Sequence, residues 1–239
     1  MADVERSQGM YRRMWAAIAA CGAVLATGAI ADADESQLRG TPFETPANVV
    51  ATGASVKRTS LEGTLTADDR GRLRALGLGK MHSAAVVLHH IPKTDAARQI
   101  ARLRVLAHRV DGFDPSGACD RITSEGDGTG LCTGSVDGPI GRIPVRMPVS
   151  ARLTESADGS AHLLISNMRP MEAKPLFSWS PVVAPGHLKV AVDLYPTDDG
   201  WLVYTRVGVE MSDHESSAKT ISDALLKLDS WLSRDLARQ

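Results

Sequence analysis

The residues of this chain that could do chemistry are few and scattered. Cys119 and Cys132 flank D-R-I-T-S-E-G-D-G-T-G-L, a stretch with hairpin chemistry. A two-residue turn at Glu125-Gly126 sets Cys119 opposite Cys132 and Ile122 opposite Thr129, so a cross-strand disulfide is expected. Closing a loop of about 14 residues would stabilise the fold by roughly 3 kcal/mol through chain entropy. The alternative is a pair of reduced thiols on neighbouring strands. Zinc is not expected, because no C-x-x-C occurs and no histidine lies near either cysteine in sequence.

Other chemical groups read as structural. His89 and His90 are consecutive on an expected strand, so their rings point to opposite faces and cannot share a metal without distortion. Asp213-His214-Glu215 has ligand types but reads as a polar loop before a helix. Ser216-Ser217-Ala218-Lys219 matches S-x-x-K in form, yet the S-D-N and K-T-G partners of that chemistry are missing. Gly126, Gly128, Gly130 and Gly134 precede no Lys-Ser or Lys-Thr and read as turn glycines rather than a phosphate loop. No catalytic residue, metal or cofactor is assigned.

Composition narrows the partners. The 239 residues are 43% hydrophobic and 23% charged, enough for a packed core. Twenty-seven Lys plus Arg against 28 Asp plus Glu leave no basic field for a polyphosphate backbone, so nucleic acid is not an expected partner. Ten aromatic residues are too few for base-stacking platforms or a ring-lined sugar groove.

The amino terminus reads as an export signal. Arg12 and Arg13 precede Met14 to Ala31, 18 residues without a charge, and small side chains at Ala29-Ile30-Ala31 and Ala31-Asp32-Ala33 suit a signal peptidase. Cleavage after Ala31 or Ala33 gives a periplasmic or secreted protein. Eight Ala and two Gly make the run a weak permanent anchor. Ile18-Ala19-Ala20-Cys21 resembles a bacterial lipobox, which would tether the chain by a lipid on Cys21, although the apolar run continues past that cysteine. Membrane contact is expected only through this segment or that anchor. The mature chain, with 24 basic and 26 acidic residues after a cut at Ala31, stays near neutral.

The elements follow from periodicity. Residues 32 to 60, with Pro42, Pro46, Gly40 and Gly53, read as an extended leader before a domain over 61–239. Thr66-Ala67-Asp68-Asp69 is a capping pattern with Asp in place of Glu; Leu73 and Leu76 follow on one helix face, which Gly77 to Gly79 ends. Ser83 to Ile91 is an apolar strand stopped by Pro92. Thr94 or Asp95 then caps a helix with Ala96, Ile100, Leu103 and Ala107 on its covered face and Arg98, Arg102 and Arg104 toward water.

Period two dominates afterwards. Ile143, Val145, Met147, Val149, Ala151 and Leu153 alternate with Pro144, Arg146, Pro148, Ser150 and Arg152, and the prolines favour an edge or bulged strand. Ala161 to Met168 is the return strand after a turn at 155–160. Leu188, Val190, Val192 and Leu194 form one arm of a hairpin turning at Pro196 to Gly200. Its second arm has Trp201, Val203, Thr205, Val207, Val209 and Met211 on one side and Tyr204, Arg206 and Glu210 on the other. A last helix, capped by Thr220 with Asp223, carries the stripe Ile221, Leu225, Leu228, Leu232 and Leu236 and needs a sheet to lie against.

This order resembles the START-like helix-grip fold of the SRPBCC superfamily, which includes START lipid-transfer domains, polyketide cyclases and plant allergen-like proteins. L-K-V-A-V-D-L-Y-P-T-D-D-G-W-L-V-Y-T-R-V-G-V-E-M followed by I-S-D-A-L-L-K-L-D-S-W-L carries the resemblance, over Ser83 to Gln239. It implies an α+β fold in which a curved antiparallel sheet wraps a long C-terminal helix around an apolar cavity. The first covering helix lacks the Trp or Tyr common in that family, and the cysteine hairpin is an addition.

The expectation is then an exported protein that binds a small or medium apolar, lipid-like molecule. The walls would be Val145, Met147, Val149, Val203, Thr205 and Val207 from strands and Leu225, Leu228 and Leu232 from the helix. Thr205, the one polar group on those inward rows, would orient a ligand oxygen or bond to the backbone. Met147, Met168, Met171 and Met211 are candidates for adaptable lining or plain core, Met147 foremost. Two other readings stay open. One is a cyclase- or hydrolase-type enzyme in the same cavity, for which the inward rows offer no acid or base; the other is an envelope structural or interaction protein with a solid core.

Overall fold

The computed structural model describes residues 50–52, 55–61, 65–77, 83–92, 96–112, 119–138, 141–197 and 200–210. The expected export segment with Cys21, the helix caps at Thr94 or Asp95 and at Thr220, Met211, the polar motifs at 213–219, and the C-terminal helix with Leu225, Leu228 and Leu232 lie outside them. Among the described residues no helix is long and apolar enough to cross a membrane.

Eleven strands form one antiparallel sheet: β1 (Val50–Thr52), β2 (Ser55–Leu61), β3 (Ser83–Pro92), β4 (Arg121–Gly126), β5 (Thr129–Gly138), β6 (Gly141–Glu155), β7 (Ala161–Asn167), β8 (Met171–Ala173), β9 (Ser180–Val183), β10 (Leu188–Pro196) and β11 (Gly200–Val209). Their order is β1-β2-β3-β11-β10-β7-β6-β5-β4, with β8 paired to β6 and to β9. Two helices accompany the sheet, α1 (Ala67–Arg74) and α2 (Ala96–His108), with a 3₁₀ turn at Val110–Gly112. The chain is thus α+β. A strand, a helix, a run of antiparallel strands and a long closing hairpin succeed one another as the periodicity predicts.

Residues 50–61 differ from the extended leader expected there. They form the β1–β2 hairpin, and β2 pairs with β3 from Lys57 opposite His89 to Leu61 opposite Ala85. The helix start at Thr66 is as expected: Thr66 Oγ1 accepts from the Asp69 backbone N–H at 3.1 Å while Asp69 Oδ2 accepts from the Thr66 N–H at 3.2 Å.

The two helices cover opposite faces. On the inner face α2 lays Leu103, Leu106 and Ala107 against Ile91, Trp201, Val203, Val192, Leu194, Leu163 and Ala161, with Val110 closing the cluster. Gln99 Oε1 accepts from Trp201 Nε1 at 2.6 Å inside this layer, satisfying the indole. On the outer face Leu65 and Leu73 of the α1 region pack on Ala84, Val86, Leu88, Leu202 and Tyr204.

The cysteine hairpin has a different register from that expected. It turns at Asp127-Gly128, where Gly128 takes φ +63° as the second position of an Asp-Gly turn requires. Gly126 faces Thr129, and a bulge at Glu125 shifts the ladder so that Ile122, not Cys119, faces Cys132. Neighbouring elements fix the turn. Gly128 N–H donates to His108 O at the end of α2, Ala151 N–H of β6 donates to Gly128 O, and a Cβ at Gly128 would sit 2.6 Å from Ala151 O.

Pro144 and Pro148 favour an edge or bulged strand, and β6 is central, between β5 and β7. Their carbonyls accept from Lys174 N and Met168 N, on the side where β6 changes partner from β7 to β8. An antiparallel residue directs N–H and C=O to the same side. The missing donors therefore fall at this change of partner and spare the long β5 ladder.

Candidate functional site

Register puts the expected strand residues on one face. Thr205 lies opposite Val192 on β10 and Val192 opposite Leu163 on β7; Val207 lies opposite Val190, and Val190 opposite Ile165. Ile165 then faces Ala151, and Asn167 faces Val149 on β6, while Met147 and Val145 face Cys132 and Gly134 of β5. Val145, Met147, Val149, Val203, Thr205 and Val207 are all buried.

They occupy different parts of that face. Val203 belongs to the layer under α2. Met147 and Val149 pack with Cys132, and Cys119, Ile122, Ile165, Met171 and Leu188 lean on them. Val145 packs with Ile143 and Ala173 at the β8 end. Thr205 and Val207 continue the β11 row past Val203. Of the other methionines, Met171 is half-buried beside Met147, whereas Met168 is exposed and lines nothing on this face.

Thr205 is the chemical anomaly of the inner face. It is 0% exposed, and its Oγ1 has no hydrogen-bond partner. A threonine on a strand usually gives its hydroxyl to a backbone carbonyl; this one does not, in a row otherwise of valine and tryptophan.

Cys119 and Cys132 are joined in a disulfide, with Cα atoms 5.4 Å apart. Cys119 reaches Cys132 from just before β4, beside the bond from Asp120 N–H to Thr133 O. A structural disulfide of this kind persists in oxidising compartments and not in a reducing cytosol. Its sulfurs sit at the Met147–Val149 end of the inner face.

The outer face holds a polar network that alternation alone did not announce. Tyr204 and Arg206, expected on the far side of the final strand, are buried there. Arg206 is ion-paired to Asp193 and also donates to Arg72 O at 3.3 Å. Tyr204 OH donates to Asp69 Oδ1 at 2.8 Å, and the guanidinium of Arg206 lies 5.0 Å from the Tyr204 ring centre. Lys189 Nζ donates to Leu76 O just past α1. Thus the cap residue Asp69, the end of α1 and the sheet are tied together by charge. Burial, and next the Asp193 carboxylate, push the neighbouring Tyr195 hydroxyl up to about 12.

One line of this network has the order of a nucleophile, a base and an acid. Ser160 Oγ lies 3.4 Å from His162 Nε2, and His162 Nδ1 lies 3.1 Å from Asp193 Oδ1. The Ser160 hydroxyl, however, donates to Asp158 Oδ1 at 2.7 Å, and the same oxygen accepts the Ser160 N–H at 2.9 Å. Its proton is committed to Asp158, whose carboxyl that hydroxyl holds below the usual range, and the side chain is buried. The trio closes the 156–160 turn. His90, the described ring of the His89-His90 pair, is buried on this outer side with Nε2 3.3 Å from Thr197 Oγ1.

No family model and no curated protein matches this sequence. Among solved structures, the chain is similar to a crystallised fragment of a STAR-related lipid transfer protein from Xanthomonas axonopodis. The two are 12% identical, the match covers 80% of this chain and 98% of the other, and the TM-score is 0.46.

Proposed function

We propose that this chain is an exported protein that holds a small or medium apolar, lipid-like molecule in helix-grip manner, between the inner face of the sheet and the C-terminal helix. Val145, Met147, Val149, Val203, Thr205 and Val207 supply the strand side, and Leu225, Leu228 and Leu232 the helix side. The disulfide and the charge-free run behind Arg12 and Arg13 support export.

The observation that carries the ligand reading is the Thr205 hydroxyl. An orphaned buried hydroxyl costs about 1–3 kcal/mol, and a ligand oxygen beside Oγ1 removes that cost while the valines around it take up the apolar remainder. The ligand class that fits is a largely hydrocarbon molecule with an accepting or donating oxygen.

Native mass spectrometry of exported protein tests this. The wild-type chain is expected to retain an apolar small molecule, and Thr205→Val to retain it with an affinity lower by about tenfold, one hydrogen bond. A wild-type chain that carries and takes up no apolar ligand, or a Thr205→Val chain that retains it unchanged, overturns the proposal.

A further inference from the structure

Between β7 and β10 some twenty residues form a finger made of β8, β9 and the turn between them, and this finger is built with care at its base. Asn167, itself buried, clamps the neck: its Nδ2 donates to Arg169 O at 3.0 Å and to Ala184 O at 2.8 Å, and its Oδ1 accepts from Leu188 N–H at 2.9 Å. Farther out, Arg146 of β6 is paired to Glu172 at 2.6 Å and lies 4.4 Å over the Trp179 ring. Lys174 N–H donates to Pro144 O, and β8 pairs with β9.

The tip of this braced finger is apolar and faces water. Among the described residues five large hydrophobic side chains are exposed, and three of them, Met168, Leu176 and Phe177, fall within ten residues here. Phe177 is 92% exposed and Leu176 53%. A flexible loop would fold such residues back; here β8, β9 and the Arg146 contacts hold them out. The charges left over are positive. Glu172, the one acid between Met168 and His187, is taken by Arg146, whereas Arg169 and Lys174 have no ion pair among the described residues.

We propose that this tip docks on the surface of a bilayer that bears anionic headgroups. Phe177 and Leu176 enter the boundary between headgroups and acyl chains, and Arg169 and Lys174 meet the headgroup charge. The occupant follows from the combination: protruding aliphatic and aromatic tips, a tryptophan behind them and unopposed basic residues beside them match a membrane interface. The surface is separate from the Thr205 row, and the inference does not depend on the ligand reading.

Hydrogen–deuterium exchange of the full chain with phosphatidylcholine vesicles, with and without phosphatidylglycerol, reads the docking residue by residue. Slowed exchange over 168–180 is expected on the anionic vesicles, with affinity falling at least about tenfold in Phe177→Ser and about fivefold in Arg169→Gln. The Arg169 effect shrinks at high salt. Phe177→Ser keeps the wild-type melting temperature, because the side chain is almost wholly in water. Val105→Ser, which removes a 60% exposed apolar side chain from α2, leaves docking unchanged. Thr205→Val does too, which separates this inference from the preceding one. Exchange at 168–180 that vesicles do not slow overturns the proposal. So does protection confined to the segment before residue 50, equal binding to neutral and anionic vesicles, or protection by a protein partner alone.

Discussion

The two faces of β11 handle buried polarity in opposite ways. On the outer face Tyr204 and Arg206 are enclosed, and each finds a charged partner, Asp69 or Asp193, although the Arg206 Nε itself makes no hydrogen bond. On the inner face Thr205, one residue from both, is enclosed without any. Folding explains the first arrangement, since the paired groups fasten α1 and its cap to the sheet. It does not explain the second. A hydroxyl that contributes no hydrogen bond to the fold, set in an apolar row, is what the proposed ligand oxygen would satisfy.

Substitutions can break this contrast, and the largest effect belongs to Asp193. Asp193→Ala leaves the Arg206 guanidinium buried without its counter-ion and should destabilise by about 3–5 kcal/mol in denaturant unfolding. The double change Asp193→Leu with Arg206→Met should recover most of that loss, because no charge then remains to desolvate. Tyr204→Phe removes one bond to a buried carboxylate and should cost about 2 kcal/mol by the same measurement. Thr205→Val should behave in the reverse sense, leaving the ligand-free protein as stable or up to about 1 kcal/mol more stable. Equal losses at Tyr204 and Thr205 would erase the distinction between the faces.

The last effect is one of pH. Tyr195 beside Asp193 titrates at about 12 when folded, above the value of roughly 10 for an unfolded chain, so folding favours its neutral form. That contribution is complete below pH 10 and disappears as pH rises from about 10 through 12. Tyr195→Phe should lack this alkaline decline in a melting-temperature series, while the wild type shows it.

Much of this arrangement is legible in the residue order, and the failures have identifiable causes. The odd-numbered row of β6 and the row from Trp201 to Val209 are visible as period two, and Thr66 with Asp69 announces α1. Alternation, however, separates two faces without saying which meets water. Tyr204 and Arg206 read as solvent-facing because α1, which buries them, comes from 130 residues earlier in the chain. The cysteine hairpin offers two turns, Glu125-Gly126 and Asp127-Gly128, and the choice depends on bonds to His108 and Ala151 that lie outside the hairpin. β8 and β9 span three and four residues among prolines, too few to show a period. The lone hydroxyl in the Val203–Val207 row is visible in the sequence; that nothing bonds to it emerges only from the fold.

Asn167 gives the finger a particular kind of independence. Because one side chain fastens both ends at the neck, the tip between β8 and β9, residues 174–179, can be lengthened, shortened or exchanged without asking β7 or β10 to move. The molecule thus separates a fixed frame from an interchangeable tip, and a chimera carrying a short glycine loop in place of residues 174–179 should retain the register of both strands.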